Sequence, residues 1–341
     1  MNFTDIISWP DVWNSDWVWE WAIVTVWWQH LGSSKSNSKI YFKDSSGISR
    51  EATTYYRKNA DWVSPSGPSD LYTSHKMQEI AFTIPDSEIW TGSIYIEIDG
   101  IKSNSLEFLV RSWNIYFVDN SWSDTSWDWS FTNPWKTLDH VVNASKWLLT
   151  MWDIIYLKDF SDTNWIQIGH NTTVFYKWTQ SHPFSLSSYP WFSNLFNGST
   201  SSSVSIMNKY SKNSYRNFSK LKFDLKSTWI HAFYRSRIIW NEFTWKEATW
   251  MWGVVSWNWD QAGWWKLYWN YIHDFWNEDT SSLHHIFYLS NRDKTPNETY
   301  DLWWNHLRNN WAPHGLHIFD QAQCWDWVWT FNIHNNYVIN Q

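Results

Sequence analysis

The sequence is short of several things, and each shortage excludes something. It has one cysteine, Cys324, so neither a disulfide framework nor a cysteine-based metal cluster can be built. It has no basic surplus. The 26 Lys and Arg stand against 33 Asp and Glu, a net charge of −7, which is no footprint for nucleic acid. No apolar run reaches the roughly 18 residues of a membrane span, so no transmembrane segment is expected. The opening stretch, MNFTDIISWPDVW, lacks the basic n-region and apolar h-region of a signal peptide. No Walker loop, HExxH or GxSxG is present. Above all there is little glycine. The chain of 341 residues has 10, where average usage of about 7% would give roughly 24.

What it has instead is tryptophan, 36 of them. Many sit beside Asp, Asn or Ser, or in pairs such as Trp27–Trp28 and Trp264–Trp265. Those are turn contexts, where glycine is wanted because it takes positive φ at no steric cost. A tryptophan buries about 150–250 Å² and resists positive φ; dozens of them in turns would have no common core to enter. The expectation is that most are glycines encoded by UGA, a codon that some bacterial lineages read as Gly and another common code reads as Trp. The competing reading is a genuinely Trp-rich protein with aromatic platforms for sugars. Taken literally, the chain is expected to fold poorly.

The length suggests two domains. Residues 114–160 organise the second. Asn114–Val118 is short and β-prone, Asp119–Asn133 has the composition of a loop, and Thr137–Lys146 places Leu138, Val141 and Val142 on one helical face. Asp153–Leu157 reads as a second strand. With Gly at Trp122, Trp127, Trp129 and Trp152, and Trp kept at Trp135, the stretch becomes IYFVD…SGSD…GDGS…NPWKTL…GDIIYL. In that form it resembles the opening segment of bacterial right-handed parallel β-helix proteins, the pectin-lyase-like fold. The resemblance implies a β-helix over 113–341 with an N-terminal capping helix near 137–146.

Residues 1–112 read as an antiparallel sandwich. Its strands are Ala22–Val26, Lys39–Phe42, Glu79–Ile84, Ser93–Ile98 and Leu106–Val110, with Ile94, Ile96 and Ile98 alternating onto one face. Trp27–Gly32 reads as a turn and 44–78 as polar and irregular. With Trp again read as Gly, the pieces ISWP…WAIVTVWWQHLG, FTIP and WTGSIYIEIDGIKSNSLEFLV resemble the IPT/TIG immunoglobulin-like family. That family implies a spacer or binding module on an extracellular protein.

Beyond 160 an Asn recurs before a β-prone pair, at Asn241, Asn270, Asn305 and Asn336. Such irregular spacing suits β-helix coils whose loops vary in length, with the Asn at one corner bonding its copies above and below. Trp229, Trp240 and Trp269 fall directly before such strands or before the ladder Asn. Residues 161–216 are poorly patterned and read as long loops. The chain stops at NNYVINQ within a strand pattern, and reads as an internal fragment of a longer protein.

Candidate chemistry lies near the C-terminal end, in LHHIFYLSNRD, DLWWNHLRNN and APHGLHIFDQ. There the chain resembles β-helix proteins with HGxYLSN, GWNxLxxN and GxHIFD on successive coils. That match makes Trp303 a glycine and Trp304 a true tryptophan, and it has Gly where this chain has His285. His285, Tyr288, His317 and Asp320 are the candidate catalytic residues, since His suits proton transfer near neutrality. Arg292, Asn305 and His314 are the candidate substrate-binding residues. His285 and Tyr288, three apart, are not expected to share a face of a regular strand. The same Asn and Asp oxygens suit Ca²⁺, but no metal-ligand set is assigned. The implied partner is a polysaccharide or cell-surface glycan, and the implied location is extracellular or on the cell surface. If the protein is an enzyme, the resemblance implies by fold analogy alone a polysaccharide lyase or a glycoside hydrolase, with hydrolysis the weaker option because paired carboxylates at glycosidase spacing are not evident. The alternative is a non-catalytic adhesin or structural stalk.

Overall fold

Two residue periods, one of alternating apolar side chains and one of whole coils, account for the architecture of the computed structural model. It describes residues 1, 3–6, 8–10, 23–31, 37–65, 67–83, 90–111, 114–125, 129–141, 153–162, 184–192, 194–198, 216–225, 230–231, 236–246, 255–256, 265–276, 285–291, 299–310, 314–320 and 330–339.

The N-terminal region is made of two largely antiparallel sheets. In the first, the spatial order is Phe3–Thr4, Val24–Trp28, Gln78–Thr83, Thr53–Asn59. In the second it is Ser8–Pro10, Leu106–Arg111, Trp90–Ile98, Ser38–Lys43, Ser49–Glu51, with Ile101–Lys102 also paired to Trp90–Ile98. Among the described strands of this region Ser8–Pro10 is the one parallel neighbour, lying beside Leu106–Arg111. Val24, Val26, Ile80 and Phe82 from one sheet meet Ile40, Phe42, Ile94, Ile96 and Phe108 from the other in a single core. Two expectations are corrected here. Trp27 and Trp28 continue the strand rather than turning, and Trp27 is fully buried. Residues 44–78 hold two strands and the short helix Tyr72–His75. Thr53–Asn59 has no buried position, so its apolar alternation is too weak to see in the sequence.

Among the described residues, every sheet from Ile115–Val118 onward is parallel. Eight strands form the first parallel sheet, seven the second and four the third, and neighbours within a sheet follow chain order. Each coil therefore lays one strand on each sheet it reaches, in a β-helix-like stack. On the second sheet Phe196, Phe223, Phe243, Ile272 and Leu307 are successive register partners facing inward. Their rings stack at 4.9 Å between Phe196 and Phe223 and again between Phe223 and Phe243. That spacing is the strand separation itself, about 4.8 Å. Of the expected capping helix, the described part is a helical turn over 138–141 that buries Leu138 and Val141; Val142 and the rest lie outside the described residues. Thr137 caps it, its hydroxyl accepting from the His140 amide at 3.1 Å. Trp135 stacks on Tyr116 at 5.5 Å, inside the core.

From Lys220 on, the corner between first and second parallel sheets is two residues long. Its first residue has positive φ: Lys220 (59°), Trp240 (50°), Trp269 (60°), Trp304 (55°), Asn335 (56°). Its second, from Trp240 on, is the recurring Asn. Asn241 donates through Nδ2 to Asn270 Oδ1 at 3.2 Å, Asn270 to Asn305 at 3.0 Å, and Asn305 to Asn336 at 3.0 Å. Each Oδ1 also accepts the backbone amide of the coil before it, and each Nδ2 also reaches a strand carbonyl, as from Asn270 to Ile238 at 2.9 Å. The buried amides are thus saturated, which is what their burial demands. A left-handed conformation costs an L-residue roughly 1–2 kcal/mol. Tryptophan occupies it six times among the described residues, at Trp62, Trp129, Trp191, Trp240, Trp269 and Trp304. Total stability is only about 5–15 kcal/mol, so this strain is of the same order.

The two regions pack together along the first parallel sheet. Lys220 Nζ meets Asp5 Oδ2 at 2.6 Å and Thr25 Oγ1 at 2.9 Å, with the Lys and Asp side chains 2% and 0% exposed. Tyr156 Oη accepts from the Ile23 amide at 3.1 Å and donates to its carbonyl at 3.2 Å. Arg237 donates to the Thr4 carbonyl at 2.7 Å.

Exposed Trp62 and buried Trp135 separate backbone strain from packing. Trp62→Gly is expected to gain about 1 kcal/mol by releasing the left-handed penalty, and Trp135→Gly to lose about 3–5 kcal/mol of core. Urea midpoints of the two variants check this. Lys220→Met strands the Asp5 carboxylate in the interior and is expected to cost about 3–5 kcal/mol, most of it recovered in the double variant Lys220→Met, Asp5→Asn. The same denaturation series measures it.

Candidate functional site

The third parallel sheet carries the cluster that the sequence singled out. His285–Asn291 and His314–Asp320 lie side by side, with His285 opposite His314, Tyr288 opposite His317 and Asn291 opposite Asp320. Ile286, Phe287 and Leu289 are all in the core. Two consecutive inward residues, Ile286 and Phe287, break the alternation by one step. His285 and Tyr288 consequently face the same way, contrary to the expectation for a regular strand. Their rings stack at 5.0 Å. His317 completes the group, its Nδ1 lying 3.1 Å from His285 Nε2 and its ring 5.1 Å from that of Tyr288. His285 is 2% and Tyr288 8% exposed, while His317 is half-buried and gives the group its access to solvent. Burial raises the Tyr288 phenol above its ordinary range, which keeps it a proton donor. An imidazole pair in contact can hold one proton between two nitrogens, and a protonated phenol stands beside it.

The other candidates fare differently. Asn305 is a ladder residue. It is fully buried, and its side chain is committed to Asn270, Asn336 and the Leu267 carbonyl, so it is not available to a ligand. The structure places His314 and Asp320 by strand register only, their side chains lying outside the described residues, as does all of Arg292.

A second polar face was missed in the sequence. On the outside of the second parallel sheet, Lys222, Glu242, Tyr271, His306 and Tyr337 are successive register partners, with Thr244, His273 and Arg308 in the next column. Glu242 Oε1 accepts from Lys222 Nζ at 2.9 Å and lies 3.0 Å from His273 Nε2; His273 Nδ1 lies 2.8 Å from Asp274 Oδ2. Tyr271 stacks on His273 at 4.1 Å and tilts against His306 at 4.9 Å. Burial would raise the Asp274 carboxyl, but hydrogen bonds from His273 and Asn309 and the charges of His273 and Arg308 outweigh it and hold it below the usual range. Burial first, then the neighbouring His75 and Arg308, lower His306 from its ordinary 6.5 to about 4. The signal for this face was available: the residue after each ladder Asn and the one two further on point outward, so Glu242, Tyr271, His306 and Tyr337 share a column.

Among the described residues no group of three or more His, Cys, Asp or Glu is arranged to hold a metal ion. No described helix is long and apolar enough to cross a membrane. No family model, no curated protein and no solved structure matches the chain.

His306 makes stability depend on pH with a fixed sign. The unfolded chain takes up its proton near 6.5 and the folded protein only near 4. Its contribution is therefore present above about pH 6.5, is lost as pH falls towards 4, and changes no further below. The expected outcome is that Tm falls less steeply between pH 6.5 and 4 in His306→Phe than in the unaltered protein, in scanning calorimetry across that range.

Proposed function

We propose that this protein binds or processes carbohydrate at the exterior of a bacterial cell. In this reading residues 1–112 form an IPT/TIG-like, immunoglobulin-type sandwich, and residues 113–341 a right-handed parallel β-helix of the pectin-lyase-like type. The N-terminal part of that reading is supported by two sheets sharing one core, the C-terminal part by parallel strands stacking in chain order. The right-handed sense follows the general rule for parallel crossovers.

The observation that carries the functional reading is the His285–His317 contact with Tyr288 stacked against it, on the outer side of a parallel sheet. That group has the parts for β-elimination from a uronate-containing polysaccharide. The half-buried His317 takes the proton from C5, its imidazole hydrogen-bonded to His285. The C5–H electron pair forms the C4=C5 double bond as the C4–O bond breaks. Tyr288, held protonated by burial, gives its proton to the departing oxygen. The second reading, a non-catalytic stalk, is favoured by the burial of His285 and Tyr288 and by the continuous side-chain stacks along the coils.

The two readings separate in one assay. Incubation with polygalacturonate or alginate, followed by the ultraviolet absorbance of the unsaturated product, is expected to show turnover that His317→Ala and Tyr288→Phe each lower on the order of 10²-fold. Absence of the unsaturated product from every uronate polymer, in protein whose melting curve shows it folded, favours the stalk.

A further inference from the structure

The left-handed backbone positions discriminate among the tryptophans one by one. We infer that Trp240, Trp269 and Trp304, with Trp62, Trp129 and Trp191, are glycine in the protein the cell makes, specified by UGA codons read as glycine. The choice of positions rests on backbone geometry, the codon on the glycine-poor, tryptophan-rich composition of the sequence, and neither depends on the proposed function.

Three observations carry it. The first is a contrast between aromatic residues. Described tyrosines and phenylalanines outnumber described tryptophans, yet none of them has a positive φ, whereas six tryptophans do. Indole is the largest of the three side chains and has no feature that favours the left-handed region. The second is the company these tryptophans keep. Every other non-glycine residue with positive φ is Asp, Asn or Lys, polar residues of the kind turns accept. The third is structural equivalence. Trp240, Trp269 and Trp304 occupy one corner slot on three successive coils, a slot filled by Lys220 on the coil before and Asn335 on the coil after. An aromatic ring is thus no requirement of the corner; a backbone that turns left-handed is.

The geometry also corrects one assignment made from sequence resemblance. Within the Trp303–Trp304 pair the left-handed residue is Trp304, while Trp303 ends the strand Thr299–Trp303 and stacks on Tyr268 at 4.9 Å. Trp304 is therefore the member of the pair that the backbone assigns to glycine. Trp135 is the control in the opposite direction. It has no left-handed backbone, is buried, and stacks on Tyr116, a contact glycine cannot make. Its codon is expected to be UGG.

The test reads the gene and the native protein together. Codons are read at 62, 129, 135, 191, 240, 269 and 304, and peptides of protein purified from its own host are sequenced by mass spectrometry. The expected result is UGA with glycine mass at the six positions, and UGG with tryptophan mass at 135. UGG at Trp240, Trp269 and Trp304, or tryptophan mass there whatever the codon, overturns the inference. Neither readout depends on whether any variant folds.

Discussion

From Trp240 on, a single corner governs the parallel coils: one residue in the left-handed conformation followed by an asparagine tied to its copy on the next coil. The left-handed step swings the chain from the first parallel sheet to the second within two residues. The asparagine then ties that bend to its copy one coil away. Because Oδ1 takes both a side-chain and a backbone donor from the preceding coil, sliding one coil by a residue would leave a buried carbonyl and two buried N–H groups unpaired. Register is therefore fixed at the corner from Asn241 to Asn336, the span in which Phe243, Ile272 and Leu307 are stacked and the histidine cluster of the third sheet lies.

The same corner exposes a conflict inside the sequence. Asparagine at the second position is well chosen. Tryptophan at the first is poorly chosen for backbone reasons, yet Trp240 and Trp269 bury their rings with Phe3, Trp27, Leu71 and Tyr268 between the two regions. Local and global preferences point different ways at these positions, which minimally frustrated natural sequences avoid. Gly67 shows how tightly the rings are accommodated, since a Cβ there would lie 2.5 Å from the Trp240 ring.

Much of this was legible beforehand, and the limits have physical causes. The recurring Asn could be read because a ladder needs one residue type at one place. The inward column could be followed from Phe243 through Ile272 to Leu307, each two residues after a ladder Asn, whereas Phe196 lies in the stretch 161–216, which reads as loops although it holds the strands Phe184–Ser188 and Leu195–Gly198. Thr53–Asn59 could not be read, since its side chains are at most partly buried and the adjacent Tyr55 and Tyr56 both pack against the core instead of alternating. The meeting of His285 with Tyr288 was hidden because it depends on two adjacent residues both turning inward, which no simple period encodes. The Glu242–His273–Asp274 chain was hidden for another reason. The outward columns can be counted from the ladder Asn, but Glu242 and His273 come from neighbouring coils and from different columns, so their contact shows only in the folded chain. The assignment of Trp303 and Trp304 followed sequence likeness, whereas φ belongs to the backbone.

The ion pair between Asp5 and Lys220 has a consequence for synthesis. Asp5 leaves the ribosome long before its cation. The strand Phe3–Thr4 can pair with Val24–Trp28 early, but the neighbouring carboxylate can be enclosed only once Lys220 exists. Lys220 also bonds Thr25, a partner 195 residues away in the chain. At a translation rate of about 5–20 residues per second the wait is roughly 10–40 s. Until then the N-terminal sheets must keep one face open to water. Docking of the two regions is a late event of biosynthesis, and the face left waiting is where a nascent chain would need shelter.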